Sequence, residues 1–414
     1  MHTPILDFLH QYAASGAVRL HMPGHKGQSF LGCEALDVTE IPGADSLYEA
    51  CGVIRESEDN AAALFGSGRT LYSAGGSSQS LATMLYLALA NRQPGTPPVV
   101  VAARNVHKAY VHAAALLDFD TLWLWPETDN DSLCACPITP AGLDKTLQSL
   151  TAPPAAVYIT SPDYLGGMAD IAALAEICHA HHTVLAVDNA HGAYLRFLTP
   201  SLHPLDLGAD ICCDSAHKTL PVLTGGAYLH IGKKAPAAFA RQARQAMALF
   251  GSTSPSYLIL ASLDLCNRYL TEGYPARLAQ TVDRLAQIQN QWTANGWSLR
   301  QTDPLRLTVA APLGLSGVEL AGKLQQSGVV CEYADRDFLV MMCTPENSEK
   351  DLARTAALLG PNTAGPPPAK PLPPARGQQI LSPRQCLFSP WETVPAEQSL
   401  GRICANAALS CPPA

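Results

Sequence analysis

The chain has 414 residues, 47% apolar and 15% charged, with a formal net charge of -8 and a pI near 5.9. That balance excludes a disordered chain, argues against a surface made for nucleic acid or an anionic membrane, and leaves enough apolar material for one large core and one smaller one. No basic segment leads into an apolar stretch at the amino terminus and no apolar run reaches bilayer length, so a cytoplasmic protein without membrane contact is expected.

Residues 1–25 read as an amino-terminal arm. Its short amphipathic stretch Ile5-Leu6-Asp7-Phe8-Leu9-His10 is suited to packing on another subunit. In His21-Met22-Pro23-Gly24-His25-Lys26-Gly27, two histidines and a lysine flank a Pro-Gly turn that keeps the segment from being helical; a basic surface loop fits the same spacing. Helical periodicity over 54–65 turns Ile54, Ala61, Leu64 and Phe65 toward a core. Leu71-Tyr72-Ser73-Ala74-Gly75-Gly76-Ser77-Ser78 then gives a strand, a glycine turn and two serines ahead of a helix over 79–91. Free backbone N–H groups and the positive helix end make Gly76, Ser77 and Ser78 a seat for a phosphate, and an ordinary capping turn competes with that reading.

Further strands are expected at 98–103, around Trp123 and Trp125, at 157–159 and at 183–187, with a helix at 171–181. The strands exit at Arg104-Asn105-Val106-His107-Lys108, at Thr160-Ser161-Pro162-Asp163-Tyr164 and at Asp188-Asn189-Ala190-His191-Gly192. The alternation of apolar runs with helices predicts an α/β fold with right-handed crossovers and a mainly parallel sheet. The apolar run 209–213 delivers Asp214-Ser215-Ala216-His217-Lys218-Thr219-Leu220-Pro221 to the carboxyl edge of that sheet, where such sheets hold ligands. A lysine there is desolvated, loses its proton more easily and can attack a carbonyl to form an imine. Thirteen cysteines without a compact framework read as reduced thiols, and Cys134, Cys136, His179, His181 and His182 do not fall at a zinc spacing, so no metal is expected.

A ligand that needs a phosphate seat, an imine-forming lysine, a flat surface and a carboxylate is pyridoxal 5'-phosphate. Lys218 would hold its aldehyde, Asp188 would pair with the ring nitrogen, and His107 would lie against the ring. Gly76, Ser77, Ser78, Ser215 and His217 would receive the phosphate, with Thr160 and His191 at neighbouring strand exits.

The Asp214–Pro221 stretch with Leu223-Thr224, and Leu20 through Gly27, resemble the signatures of the Orn/Lys/Arg decarboxylase family of aspartate-aminotransferase-fold enzymes. The strand exits at His107, Thr160 and Asp188, and Ser252-Thr253-Ser254-Pro255-Ser256-Tyr257, resemble the family in its order, so the likeness covers roughly residues 20–345. It implies a mostly parallel seven-stranded, pyridoxal-phosphate-binding large domain over 26–270 and a smaller α+β domain over 271–360. It also implies a homodimer, or a higher even oligomer, with a shared active site in which Ser252 and Thr253 reach the phosphate of the partner subunit. The chain departs from the family at Asp163 and Tyr164, which follow the Ser-Pro where a threonine or serine is more usual, and at Gly225, where glutamine is frequent. A proline-rich linker over 361–380 leads to a tail over 381–414 that holds Gly401-Arg402-Ile403, similar to the family's closing motif. The chain stops at Cys411-Pro412-Pro413-Ala414 where relatives continue, which predicts a more open substrate entrance.

The resemblance implies decarboxylation of lysine, ornithine or arginine to the corresponding amine and carbon dioxide, with Lys218 or His217 donating a proton to Cα. Asp45, Asp163 and Glu332 are the acidic candidates for the distal cation. An aminotransferase or other lyase would use the same cofactor site, and a non-catalytic paralogue acting through mixed dimers would keep the same fold.

Overall fold

The computed structural model describes residues 1–126, 132–300, 303–368 and 378–404. Seven strands form the main sheet: β1 Arg69–Ser73, β2 Val99–Ala103, β3 Asp120–Leu124, β4 Ala156–Thr160, β5 Leu185–Asp188, β6 Ile211–Asp214 and β7 Ala227–Ile231. Their spatial order is β1-β7-β6-β5-β4-β2-β3. The pairs from β6 through β3 are parallel, and β7 runs antiparallel to both its neighbours. In β2, Val100 and Ala102 enter the core on one face of the sheet and Val101 and Ala103 the core on the other. Each face is covered by helices, which is why these strands read as unbroken apolar runs rather than alternating ones. Full burial of each such valine stabilises by roughly 1.5–3 kcal/mol.

Three features were not legible in the sequence as read above. β7 was missed: the connection after β6 contains only the one-turn helix Ala216–Thr219, and the chain returns on the same side as an antiparallel strand. The helix expected at 79–91 begins earlier, at Gly76–Ala90, so the two serines sit in its first turn. The amphipathic stretch of the presumed arm is a helix, Pro4–Ala14, packed into this chain's own core, with Ile5 and Leu9 fully buried. Asp264 fixes its start by accepting the N–H groups of Ile5 and Leu6, both at 3.0 Å, which ties this stretch to the helix Tyr257–Thr271 of the same chain. The His21–Gly27 turn docks on the same helix, through a 2.5 Å contact between His21 Nε2 and the Tyr12 hydroxyl.

Helix Tyr274–Ala294 leads to a second sheet of four antiparallel strands, β8 Leu299–Arg300, β9 Arg306–Ala310, β10 Tyr333–Ala334 and β11 Phe338–Met342, in the order β10-β11-β9-β8. Trp292 is fully buried there and donates its indole N–H to the Ala356 carbonyl at 3.0 Å. No helix among the described residues is long and apolar enough to cross a membrane. The proline-rich linker falls partly, and Cys411–Ala414 wholly, outside the described residues. In the tail, Arg384 donates to the Ala115 carbonyl at 3.0 Å.

Candidate active site

The carboxyl ends of β2, β4, β5 and β6 open onto one cleft of about 800 Å³ that is open to solvent. Its walls include Ser77, Ser78, His107, Thr160, Asp188 and Lys218, with His191 beside them. Parallel pairing aligns these exits: Thr160 is opposite Asp188 and Asp188 is opposite Cys213, so residues distant in sequence emerge at one level of one edge.

Lys218 enters from the one-turn helix after β6, and its Nζ lies 2.9 Å from Nε2 of His191. Burial, and then the Lys218 ammonium, push His191 well below the ordinary histidine range, so the imidazole is neutral and its Nε2 accepts a hydrogen bond from that amine. Its other nitrogen, Nδ1, is buried without a hydrogen-bond partner. Asp188 is 3% exposed. It accepts the Tyr158 hydroxyl at 2.9 Å and the Ala190 N–H at 3.1 Å, which aim the carboxylate at the cleft. His107 caps the helix Lys108–Leu117 by accepting the Ala109 N–H at Nδ1, 3.1 Å, and burial lowers its pKa against the opposing pull of Asp188. A neutral flat ring results, with the proton assigned to Nε2 by that bond.

The segment expected to receive a phosphate lies where the helix Gly76–Ala90 begins. No side chain caps this end, Gly76 has φ +71, and its N–H goes to the Gly225 carbonyl at 2.8 Å. The Ser215 hydroxyl donates to the Ser77 hydroxyl at 2.7 Å, which brings β6 and the helix end together around one point. His217 is not in the cleft wall: its Nδ1–H is turned to the Gly226 carbonyl at 3.0 Å. Ser252 and Thr253 are exposed and lie outside this chain's own cleft.

Among the described residues, His203, Asp214 and His230 are the one group disposed to hold a metal ion, and all three are fully buried. They are held as a cluster, although Nε2 of His230 is buried without a hydrogen-bond partner. Nε2 of His203 is 3.1 Å and Nε2 of His230 3.4 Å from Asp214 Oδ2, while Asp214 Oδ1 accepts the Asn189 amide at 2.8 Å. Burial opposes ionisation of Asp214, yet the two imidazoles hold it below the usual carboxylate range.

Sequence reasoning missed Asn105, Cys134 and Tyr333 in the cleft wall and left Tyr164 without a role. Asn105 and Tyr164 stand beside strand exits, a signal that was present. Tyr333 comes from β10 of the second sheet and carried none. Of the acidic candidates, Asp45 is taken up by five backbone N–H groups, those of residues 46, 51, 52, 54 and 55. Asp163 is buried and accepts the N–H groups of Leu165 and Gly167.

The donor set suits pyridoxal phosphate. An uncapped helix end with facing hydroxyls fits a dianion, an amine and a carboxylate share the cleft, and Thr160 Oγ1, Asn105 Oδ1 and His191 Nδ1 are buried in its lining without hydrogen-bond partners.

A family model described as the Orn/Lys/Arg decarboxylase major domain matches residues 3–311. An arginine decarboxylase of Bacillus subtilis is 29% identical, the match covering 99% of this chain and 89% of that protein. An uncharacterized protein of the same organism, YaaO, is 32% identical over 83% of this chain and 74% of its own length. Among solved structures, lysine decarboxylase A from Pseudomonas aeruginosa aligns with a TM-score of 0.71 at 18% identity over 86% of this chain, which spans 59% of that chain's length. A serine palmitoyltransferase from Sphingomonas wittichii aligns with a TM-score of 0.61 at 14% identity, covering 86% of this chain and 82% of that one. The architecture is therefore the aspartate-aminotransferase type, and the chain belongs to the Orn/Lys/Arg decarboxylase family.

Proposed function

We propose that the protein is a pyridoxal-phosphate-dependent carboxy-lyase acting on lysine, ornithine or arginine. The observation that carries this reading is the convergence of Lys218, Asp188 and the uncapped end of the helix Gly76–Ala90 on one cleft. The family match and the arginine decarboxylase likeness support it.

When bound, the cofactor supplies an aldehyde carbon for amines and a protonated ring that accepts the electron pair left by a departing carboxylate. The first-turn N–H groups of Ser77 and Ser78, with the hydroxyls of Ser77 and Ser215, would hold its phosphate against the positive helix end. The Asp188 carboxylate, fixed by Tyr158 and Ala190, would pair with a ring N–H and favour its protonated form. His107 presents a neutral face to the ring and leaves the positive charge to Lys218. His191 Nε2 accepts an N–H of Lys218 and orients the amine, and with the cofactor bound the Lys218 ammonium would donate the proton that takes the place of carbon dioxide at Cα. His217, bonded to Gly226, takes no part in that transfer. Ser252 and Thr253, exposed on the segment between helices Ala237–Phe250 and Tyr257–Thr271, are assigned to the phosphate of a second copy's site.

The test is a panel of lysine, ornithine and arginine with the cofactor-loaded protein, measuring carbon dioxide and keto acid separately. Release of carbon dioxide from at least one is expected. Keto acid without carbon dioxide would move the reading to an aminotransferase.

A further inference from the structure

Tyr164, on the loop after β4, and Tyr333, on β10, close the side of the cleft contributed by the second sheet. The Tyr164 ring meets His191 edge-on at 5.3 Å between centroids and Tyr333 at 5.0 Å, so the aromatic wall begins beside the Lys218–His191 contact and runs away from it. Each phenol donates to a carboxylate: Tyr164 to Glu332 at 3.0 Å and Tyr333 to Asp335 at 2.8 Å. The two acids differ. Asp335 also accepts the N–H groups of Asp337 and Phe338 and so shapes its own turn. Glu332 is not itself a wall residue of the cleft but is joined to it through the Tyr164 hydroxyl, its partner; it is exposed, and among the described residues no cationic side chain pairs with it. The wall is also held rigidly. Arg306 of β9 donates to the carbonyls of Asp163 and Tyr164, and the Thr308 hydroxyl to that of Leu165 at 2.9 Å, tying the Tyr164 loop to the second sheet.

An aromatic surface next to an uncompensated carboxylate attracts an organic cation, and a preset wall does so without a reordering penalty. We infer that Tyr164, Tyr333 and Glu332 form the seat for the charged end of a long aliphatic amino acid side chain, with Glu332 as its charge partner. This rests on the lyase reading in taking the substrate's α-amino group to the Lys218 end. It assigns the side-chain selectivity of the cleft to residues that the reaction at Cα does not use.

The experiment compares each basic amino acid with a neutral analogue of matching length, arginine with citrulline and lysine with norleucine, on the full-length cofactor-loaded protein. Calorimetric Kd and, independently, kcat/KM for carbon dioxide release are measured for wild type and Glu332→Gln, which keeps an acceptor for the Tyr164 hydroxyl. The expected result is a wild-type preference for the cation that falls at least about tenfold in Glu332→Gln, through Kd and KM, with the neutral analogues unchanged. A preference that survives the substitution, or no preference in wild type, overturns the seat. Glu332-dependent cation binding without carbon dioxide upholds the seat and rejects the lyase reading; carbon dioxide release indifferent to Glu332 does the reverse.

Discussion

Nζ of Lys218 sits 2.9 Å from Nε2 of His191, a histidine that burial and that same amine keep neutral. The imidazole can accept an N–H from lysine but does not compete as a cation, so the pair aims the amine without adding a second charge. Lys218→Ala and Lys218→Arg then separate charge from nucleophilicity, because a guanidinium keeps the charge and does not deprotonate. Both variants are expected to lose carbon dioxide release by at least about 10³-fold, and both should lose the borohydride-reducible cofactor attachment seen by intact mass. Substantial activity in the arginine variant would mean that this amine is not the tether.

Asp188→Asn removes the charge and keeps one acceptor oxygen, for the Ala190 N–H; the Tyr158 hydroxyl, which donates to the other oxygen, must turn and accept from the new amide. With saturating cofactor, kcat should fall by about 10²–10³-fold, in line with the loss of one preorganised electrostatic contact. The melting temperature should fall by no more than the loss of one hydrogen bond, about 1 kcal/mol, since the Ala190 contact keeps its acceptor. An equal loss in kcat and in folding stability would make Asp188 a structural residue.

The order of elements, the parallel sheet and the strand-exit side chains were readable because they are local: an apolar run ends, a polar group follows, and parallel pairing lines the exits up. His107, Thr160, Asp188 and Lys218 were found this way. What escaped depends on contacts between distant segments. Tyr333 reaches the cleft from the second sheet. His217 lies one residue from Lys218 but, in the one-turn helix Ala216–Thr219, its ring turns to Gly226 instead of the cleft. Ile5 and Leu9 looked like an arm because amphipathicity says that a face is covered, not by what, and the covering helices begin at Val53 and Tyr257.

The buried Asp214 couples two parts of the site that sequence keeps apart. It precedes Ser215 in the chain and holds Asn189, the neighbour of Asp188, at 2.8 Å. Asp214→Asn leaves His203 and His230 without their anion and should lower unfolding free energy by about 3 kcal/mol at neutral pH. Because this carboxyl is held low in the fold, its contribution is present above about pH 4 and fades as pH falls below that, so the variant and wild type should converge in acid. Urea unfolding at several pH values reads this, and cofactor affinity should weaken in the same variant. A stability difference that does not shrink in acid would refute the ionic role.

Asp163 predicts the opposite slope. Burial raises its carboxyl to about 6, above the ordinary 3.8, despite the N–H groups of Gly167 and Leu165 and the charge of Arg306. Between those two values the unfolded chain releases this proton while the folded one retains it, so the group opposes folding more strongly as pH climbs from about 4 to 6 and by a constant amount above. The two-unit difference corresponds to roughly 3 kcal/mol. Asparagine preserves an oxygen for both N–H groups and carries no charge to bury, although it forgoes the attraction of Arg306. Asp163→Asn should therefore be more stable than wild type at pH 7 and lose that advantage toward pH 4, which denaturant melts at the two pH values will read directly. If the variant is less stable at pH 7 by as much as at pH 4, the Asp163–Arg306 attraction outweighs burial, and the residue is ionised and stabilising where it stands.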